Sequence, residues 1–127
     1  MTIQSINPAT GDVLESYDEM TPAAVREVIS NAHRAFLSWR RTDLAARAGP
    51  MRQAAETLRR DAGEYARLMA REMGKPVRDG VAEAQKCATV CDYYAENADR
   101  FLAREPVATE ARASFVTFQP LGGVLAG

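Results

Sequence analysis

Residues 69–102 constrain the fold of this chain more than any other stretch. Their pattern predicts the end of one helix, a break at Gly74-Lys75-Pro76 and a second long helix over about 77–102. Glycine closes many helices in a left-handed conformation, and proline cannot continue one. Small residues dominate the apolar stripe of the long helix, so another element can approach it closely. The stripe contains Val81, Ala84, Ala88, Cys91, Ala95, Ala98 and Leu102, and it is widened by Tyr94 and Phe101.

A first helix is predicted over about 22–40. Thr21 offers a hydroxyl N-cap, and Pro22 suits the first helical position because its missing N–H would have no partner there. Apolar residues then recur at three- and four-residue spacing, which places them in one stripe along the helix. They are Val25, Val28, Ile29, Ala32, Phe36 and Trp39.

Two further helical segments are predicted between residues 43 and 73. Asp43 can cap the first of them. We expect Gly49-Pro50 to interrupt that segment, because proline lacks the amide proton and clashes with the preceding turn. The result would be a kink or a late helix start at about 50, with the helix ending at about 60. Asp61 with Glu64 resembles a capping box for the next segment, although aspartate replaces the usual serine or threonine.

Short strands are predicted at both ends of the chain. Two alternating runs, Ile3–Asn7 and Val13–Met20, flank turn signals at Pro8–Gly11, which predicts a strand, a turn and a strand. Ala113–Phe118 has the β-branched and aromatic content of a strand. Gly122–Ala126 is typical of the start of a buried parallel strand. The expected fold is therefore mostly α-helical, with a short N-terminal β-hairpin and a C-terminal strand pair.

Composition and charge exclude several classes of function. With 127 residues, 46% apolar and 26% charged, the chain is expected to form at most one domain of ordinary soluble type. Its formal net charge of −1 leaves no excess of Lys and Arg to displace counterions from nucleic acid. No apolar run approaches the roughly 20 residues that cross a bilayer, and the first residues do not resemble a secretory signal. Two cysteines without such a signal favour the reducing cytoplasm.

Cys87 and Cys91 are the candidate thiols. They lie four residues apart on the predicted long helix and so share one face. We expect them to be packed and inert, since buried structural cysteines are common. Two thiols with no nearby histidine or further cysteine would also leave a zinc ion under-coordinated. The pair therefore predicts neither a catalytic nucleophile nor a metal site.

Other residues that could carry chemistry have simpler structural explanations. His33 has no acid or nucleophile spaced to use it, so we expect a solvated or partly packed ring. Lys75 lies in a helix stop, where capping or exposure is expected rather than phosphate binding. Glu83 and Glu96 are expected at the surface or in helix contacts, not as a catalytic pair. Gly122-Gly123 precede a strand, whereas a dinucleotide fingerprint follows one.

Five motifs, in this order and spacing, are similar to the amino-terminal part of NAD(P)-dependent aldehyde dehydrogenases. The resemblance covers essentially the whole chain and implies an α/β fold of the aldehyde dehydrogenase type. The motifs are Asn-Pro-Ala-Thr-Gly at Asn7–Gly11, the aromatic pair Phe36 and Trp39, Glu-Met-Gly-Lys-Pro at Glu72–Pro76, Glu83-Ala84 followed by Tyr-Tyr-Ala-Glu-Asn-Ala at Tyr93–Ala98, and Gln-Pro-Leu-Gly at Gln119–Gly122.

Within this family, Glu83–Ala88 and Tyr93–Ala98 most resemble the bacterial succinate-semialdehyde dehydrogenases. That resemblance implies oxidation of succinate semialdehyde to succinate with NADP or NAD. The family reaction needs a nucleophilic Cys, a general-base Glu, an oxyanion-stabilising Asn and a glycine-rich cofactor turn. These 127 residues hold none of the corresponding motifs. We therefore predict no catalytic, cofactor-binding or metal residue, no cofactor bound to this chain alone, and no activity for it alone.

The resemblance also divides the chain into three parts. Residues 1–103 would be a helical part of the cofactor-binding domain, 104–121 an oligomerisation strand segment, and 122–127 the start of the first dinucleotide-binding strand. The strand near 113–119 resembles the one that pairs between subunits, which implies a homo-oligomer. Two other interpretations stay open. The chain could be a non-catalytic helical module that docks on a full-length relative, or a remnant that folds poorly.

Overall fold

A computed structural model describes residues 2–125 and places four helices and two strand pairs among them. This architecture confirms the predicted fold class. The elements are β1 (Thr2–Ile6), β2 (Val13–Asp18), α1 (Pro22–Trp39), α2 (Leu44–Arg60), α3 (Ala62–Met73), α4 (Val77–Phe101), β3 (Glu105–Pro106) and β4 (Phe115–Val116).

The N-terminal hairpin forms as predicted, with β1 and β2 antiparallel. Its turn is stabilised by Asn7, whose side-chain Oδ1 accepts from the Ala9 amide at 2.9 Å. Gly11 has a positive φ of 79°, which only glycine adopts readily, and its amide donates to the Asn7 carbonyl at 2.8 Å. β2 ends at Asp18, two residues before the predicted limit at Met20.

Helix α1 begins where the cap predicts. The Thr21 hydroxyl oxygen accepts from the Ala24 amide at 3.2 Å, and Pro22 is the first helical residue. No residue of α1 is buried, and Ile29 in its apolar stripe is 63% exposed. The predicted stripe is therefore present, but the described residues do not cover it.

Helix α2 runs without interruption from Leu44, so the prediction that Gly49-Pro50 breaks it or delays its start to about 50 is wrong. Proline removes a single backbone hydrogen bond at this point. The contact of α2 with α4, which buries Ala48 and Ala55, holds the helix on both sides of the proline. Tertiary packing thus outweighs the local preference.

The junction between α2 and α3 differs from the predicted capping box. The Asp61 carboxylate makes no capping bond; it accepts from the Arg60 guanidinium at 2.9 and 2.7 Å. These bonds lower the pKa of Asp61 and raise that of Arg60. A capping side chain needs an extended backbone, and Asp61 has φ −103° and ψ 15°. Asp43 does have an extended backbone, with φ −71° and ψ 164°, and it caps α2 as predicted, accepting from the Ala46 amide.

The core lies where α4 packs against both α2 and α3. Among the described residues, every buried hydrophobic side chain is an alanine and none of the large side chains is fully buried. The closest approach is at Gly80, where an added Cβ would lie 2.9 Å from both the Cα and the Cβ of Ala66. The small-residue stripe of α4 therefore allows the close approach of neighbouring helices that the sequence predicts. The buried alanines are Ala48, Ala55, Ala62, Ala66, Ala84 and Ala88.

The C-terminal strand pair is short. β3 and β4 are antiparallel, and β4 covers only Phe115–Val116 of the predicted 113–118. Residues 121–125 form no strand, and Leu121 and Leu125 are 102% and 97% exposed. The predicted buried strand from Gly122 is thus not formed in the described part, because no described strand lies beside it to accept its hydrogen bonds. The last residues of that prediction, 126–127, lie outside the described residues.

The contact at Gly80 predicts a loss of stability for Gly80→Ala. The new methyl group would overlap backbone atoms of Ala66. Overpacking of this kind costs about 1–3 kcal/mol, more than the roughly 0.5–1 kcal/mol that alanine gains over glycine in a helix. Gly63→Ala in α3 is the matched control, since its nearest neighbour would be the end of the Arg67 side chain at 3.8 Å. Urea denaturation should show a lower free energy of unfolding for Gly80→Ala than for the unsubstituted chain, and an equal or higher one for Gly63→Ala. An equal gain in stability at both sites would show that Gly80 and Ala66 are not in close contact.

The two aspartates predict unequal effects of alanine substitution. Asp43→Ala removes a capping bond of 2.6 Å and should lower the free energy of unfolding by about 0.5–2 kcal/mol. Asp61→Ala removes no capping bond and should cost clearly less. Thermal unfolding followed by circular dichroism at neutral pH measures both. If Asp61→Ala proves the more damaging change, the assignment of the two caps is wrong.

Candidate functional site

The two cysteines lie on the outer side of α4. Both thiols are free, Cys87 is exposed and Cys91 is half-buried. The expectation that both are packed is wrong for Cys87. Ala84 and Ala88 face the neighbouring helices, and Cys87 is turned about 100° from Ala88 by the helical repeat. The thiols line an open hollow of about 810 Å³ with Lys75, Asp79, Ala82, Glu83, Lys86 and Val90.

Lys75 forms an ion pair with the Glu83 carboxylate at one side of this hollow. The side chains are 30% and 45% exposed, respectively, so water screens the pair. Lys75 thus spans from the turn before α4 to the second turn of that helix, instead of capping a helix. Glu83 is exposed at the surface, one of the two placements expected for it.

His33 and Glu96, two further candidates from the sequence, are both exposed. The His33 ring is exposed, and its nearest ring is Phe36 at a centroid distance of 6.2 Å. Glu96 is exposed on α4, thirteen residues after Glu83. That separation is about 20 Å along the helix axis, since each residue rises 1.5 Å. The structure therefore does not bring the two carboxylates together.

Gly122 and Gly123 precede no described helix. Gly122 has a φ of 137°, and a Cβ at Gly123 would lie 3.9 Å from the Ala32 side chain of α1. A cradle for a dinucleotide pyrophosphate needs its glycines between a strand and a helix N-terminus. The described residues therefore do not fit a nicotinamide dinucleotide at this position.

Arg47 holds the connection between α1 and α2, a role that the sequence does not signal. Its guanidinium donates to the backbone carbonyls of Trp39 at 3.1 Å and Thr42 at 2.7 Å, and to the Thr42 hydroxyl at 2.9 Å. It also lies over the Trp39 ring, 5.8 Å from the centroid. An arginine in the first turn of a helix has no local pattern that would reveal these partners.

An apolar groove of about 330 Å³ opens beside Arg47, between the end of α1, α2 and α4. Trp39 is 50% exposed and Tyr94 52% exposed at its rim. The mostly apolar lining of the groove suits an apolar side chain rather than a polar substrate. The groove is lined by Trp39, Leu44, Arg47, Ala48, Pro50, Met51, Tyr94, Ala95 and Ala98.

Within residues 2–125, no group of three or more His, Cys, Asp or Glu side chains is placed to hold a metal ion. None of the helices in that range is both long and apolar enough to span a bilayer.

A sequence profile described as the aldehyde dehydrogenase family matches residues 1–126. The chain belongs to the aldehyde dehydrogenase family. The resemblance drawn from the five motifs is confirmed, including its branch, because similar relatives carry the name succinate-semialdehyde dehydrogenase.

Three relatives show how much of an aldehyde dehydrogenase the chain represents. It is 40% identical over 99% of its length to the Probable succinate-semialdehyde dehydrogenase (NADP+) of Synechocystis, and 41% identical over 99% to Succinate-semialdehyde dehydrogenase (NADP+) 1 of Mycobacterium tuberculosis. It spans 28% of each relative's length. The crystal structure of succinic semialdehyde dehydrogenase from Streptococcus pyogenes with NADP+ superposes with a TM-score of 0.84 at 36% identity, over 90% of this chain and 25% of that one.

Proposed function

We propose that this chain is the amino-terminal part of an NAD(P)-dependent aldehyde dehydrogenase that oxidises succinate semialdehyde to succinate. The observation that carries the proposal is 40–41% identity over 99% of the chain to relatives with that name. The relatives' names include NADP(+), which favours NADP over NAD as cofactor. A cytoplasmic location is part of the same proposal.

Within that enzyme, the proposed role of these residues is structural. The core buries alanines, while large apolar side chains of α1 and of the C-terminal segment lie at the surface. Val28 is 53% and Val124 90% exposed. Apolar faces of this kind mark contacts with more protein. We infer that they lie against the remainder of the enzyme, in line with a chain that spans 28% of its relatives' length.

We propose that the catalytic residues lie in the part of the full-length enzyme outside this chain. No histidine is among the described residues that line the hollow of the exposed Cys87, so the usual partner base of a nucleophilic thiol is missing there. Gly122 and Gly123 do not fit the cofactor, because no described helix follows them. The chain by itself is therefore proposed to be inactive and to bind no cofactor.

Mass and activity together test this assignment. We expect the native polypeptide that carries this sequence to be roughly four times its length, since the chain spans 28% of its relatives. That polypeptide should reduce NADP when succinate semialdehyde is added, and faster than with a neutral aldehyde of equal length. The 127-residue chain, assayed beside it at equal concentration, should show no reduction. Reduction by the short chain would refute the structural role; a long polypeptide that prefers the neutral aldehyde would refute the substrate.

The competing interpretations give different results in the same samples. A module that docks on a full-length relative would be found in cells at 127 residues and would comigrate with that relative in size-exclusion chromatography. A remnant would also be short, but would melt broadly and without cooperativity. Either result would replace the proposal.

The C-terminal strand pair is proposed to add to a sheet of a second subunit. Among the described residues, β4 pairs only with β3, so its other edge has no strand partner there. Such an edge can accept a strand from another chain. Phe115 and Phe118 beside it are 49% and 48% exposed. Main-chain hydrogen bonds across such an edge would supply a subunit contact.

A charge on this edge should weaken the oligomer. Val116→Lys places an ammonium group in β4, where it opposes strand addition. Val90→Lys is the matched control, because Val90 lies on α4 with 45% exposure against 46% for Val116. Light scattering on the full-length enzyme should show smaller assemblies for Val116→Lys alone. Unchanged assembly of Val116→Lys, or equal loss in both variants, would exclude the strand as the subunit contact.

A further inference from the structure

The hollow that contains Cys87 and Cys91 has no part in the proposed function. We propose that these two thiols form a site that binds one soft, thiophilic centre, of which trivalent arsenic is the representative. The inference is independent of which aldehyde the enzyme oxidises, because it depends on α4 alone.

Helix geometry favours a bridging atom over a disulfide. Residues four apart on a helix have Cβ atoms about 5–6 Å apart, whereas a disulfide needs about 3.5–4.5 Å. A direct bond between Cys87 and Cys91 would therefore distort α4. The neighbouring Ala84 and Ala88 are 2% and 0% exposed against the adjacent helices, which resists such distortion. An atom that forms two bonds of roughly 2.3 Å to sulfur spans the gap without moving the helix.

Access to the site is open on the described surface. All eight residues that line the hollow come from α4 or from Lys75 just before it, so no other described element roofs it. Cys87 is exposed, and Cys91 is half-buried behind it. A ligand can thus reach Cys87 first and then close onto Cys91.

The ligand class follows from the number and softness of the donors. Thiolates prefer soft centres, and a structural zinc ion needs four ligands. No described group of three His, Cys, Asp or Glu side chains could hold a metal. A centre that is satisfied by two sulfurs and one group of its own fits this pair better than zinc does.

The reaction with an organic arsenic(III) dihydroxide balances without an oxidant. The two S–H groups lose their protons to the two hydroxyl groups on arsenic. Two S–As bonds form, two As–O bonds break and two water molecules leave. The arsenic stays trivalent and the sulfurs are not oxidised.

Phenylarsine oxide is the probe, applied to the native full-length protein. Trypsin cleaves after Lys86 and Arg100, so residues 87–100 carry both thiols in one peptide, separate from any other cysteine. Mass spectrometry should find one phenylarsenic group on this peptide, with two hydrogens lost. A dithiol should remove it and an equal concentration of monothiol should not, since the chelate gains from its second, intramolecular bond.

Three variants separate chelation from simple thiol reactivity. Cys87→Ala and Cys91→Ala should each need about 100-fold more probe, because only one bond remains. Thr89→Cys combined with Cys91→Ala keeps two thiols but places them two residues apart, on opposite sides of the helix. That control should lose the adduct in the native protein and regain it after unfolding.

Three outcomes would overturn the site. An intramolecular disulfide that forms between the native thiols under mild oxidation would show that the helix allows direct bonding. A wild-type adduct that appears only after unfolding would show that the rest of the enzyme covers the hollow. Equal labelling of the wild type and the displaced-thiol control would likewise exclude chelation.

Discussion

The close approach of α4 to α2 and α3 is the contact on which the other features of this structure depend. It is made by alanines on all three helices and by Gly80, where a methyl group would meet the Ala66 backbone at 2.9 Å. Such small side chains bury little apolar area, and burial contributes about 25 cal/mol per Å². The contact therefore gains from many close atom pairs rather than from large buried side chains. It also fixes which side of α4 faces outward, and so places Cys87 at the surface.

The consequence of a core made of alanine is that the large apolar residues lie elsewhere. Ile29 on α1 is 63% exposed and Leu121 is 102% exposed. Isoleucine and leucine are among the residue types most often buried in folded proteins. Here their exposure agrees with a chain that belongs to the aldehyde dehydrogenase family and spans 28% of its relatives' length. The helices are arranged as in those enzymes, with a TM-score of 0.84 to one of them.

Local signals predicted the elements well wherever one residue decides the backbone. Thr21-Pro22 starts α1, Asp43 caps α2, and Gly74 ends α3 with a positive φ of 72°. Prediction was wrong for Pro50, where a distant partner decides: Pro50 stays inside α2 because α4 packs along that helix. It was also wrong for Asp61, whose carboxylate binds the adjacent Arg60 instead of capping α3. The hairpin's bond from the Ser5 hydroxyl to the Glu72 carboxylate, at 2.9 Å, joins residues too far apart in sequence for any local pattern to reveal.

The sequence by itself determined the helix boundaries at Thr21-Pro22, Asp43 and Gly74, the small-residue stripe of α4 and the family, because each is set by residues close together along the chain. Tertiary structure alone decided which side of each helix is covered, because that depends on which helices meet. It turned Cys87 outward, paired Lys75 with Glu83 and left the apolar face of α1 open. Periodicity shows that a helix has an apolar side, but only the position of its neighbours shows whether that side is buried.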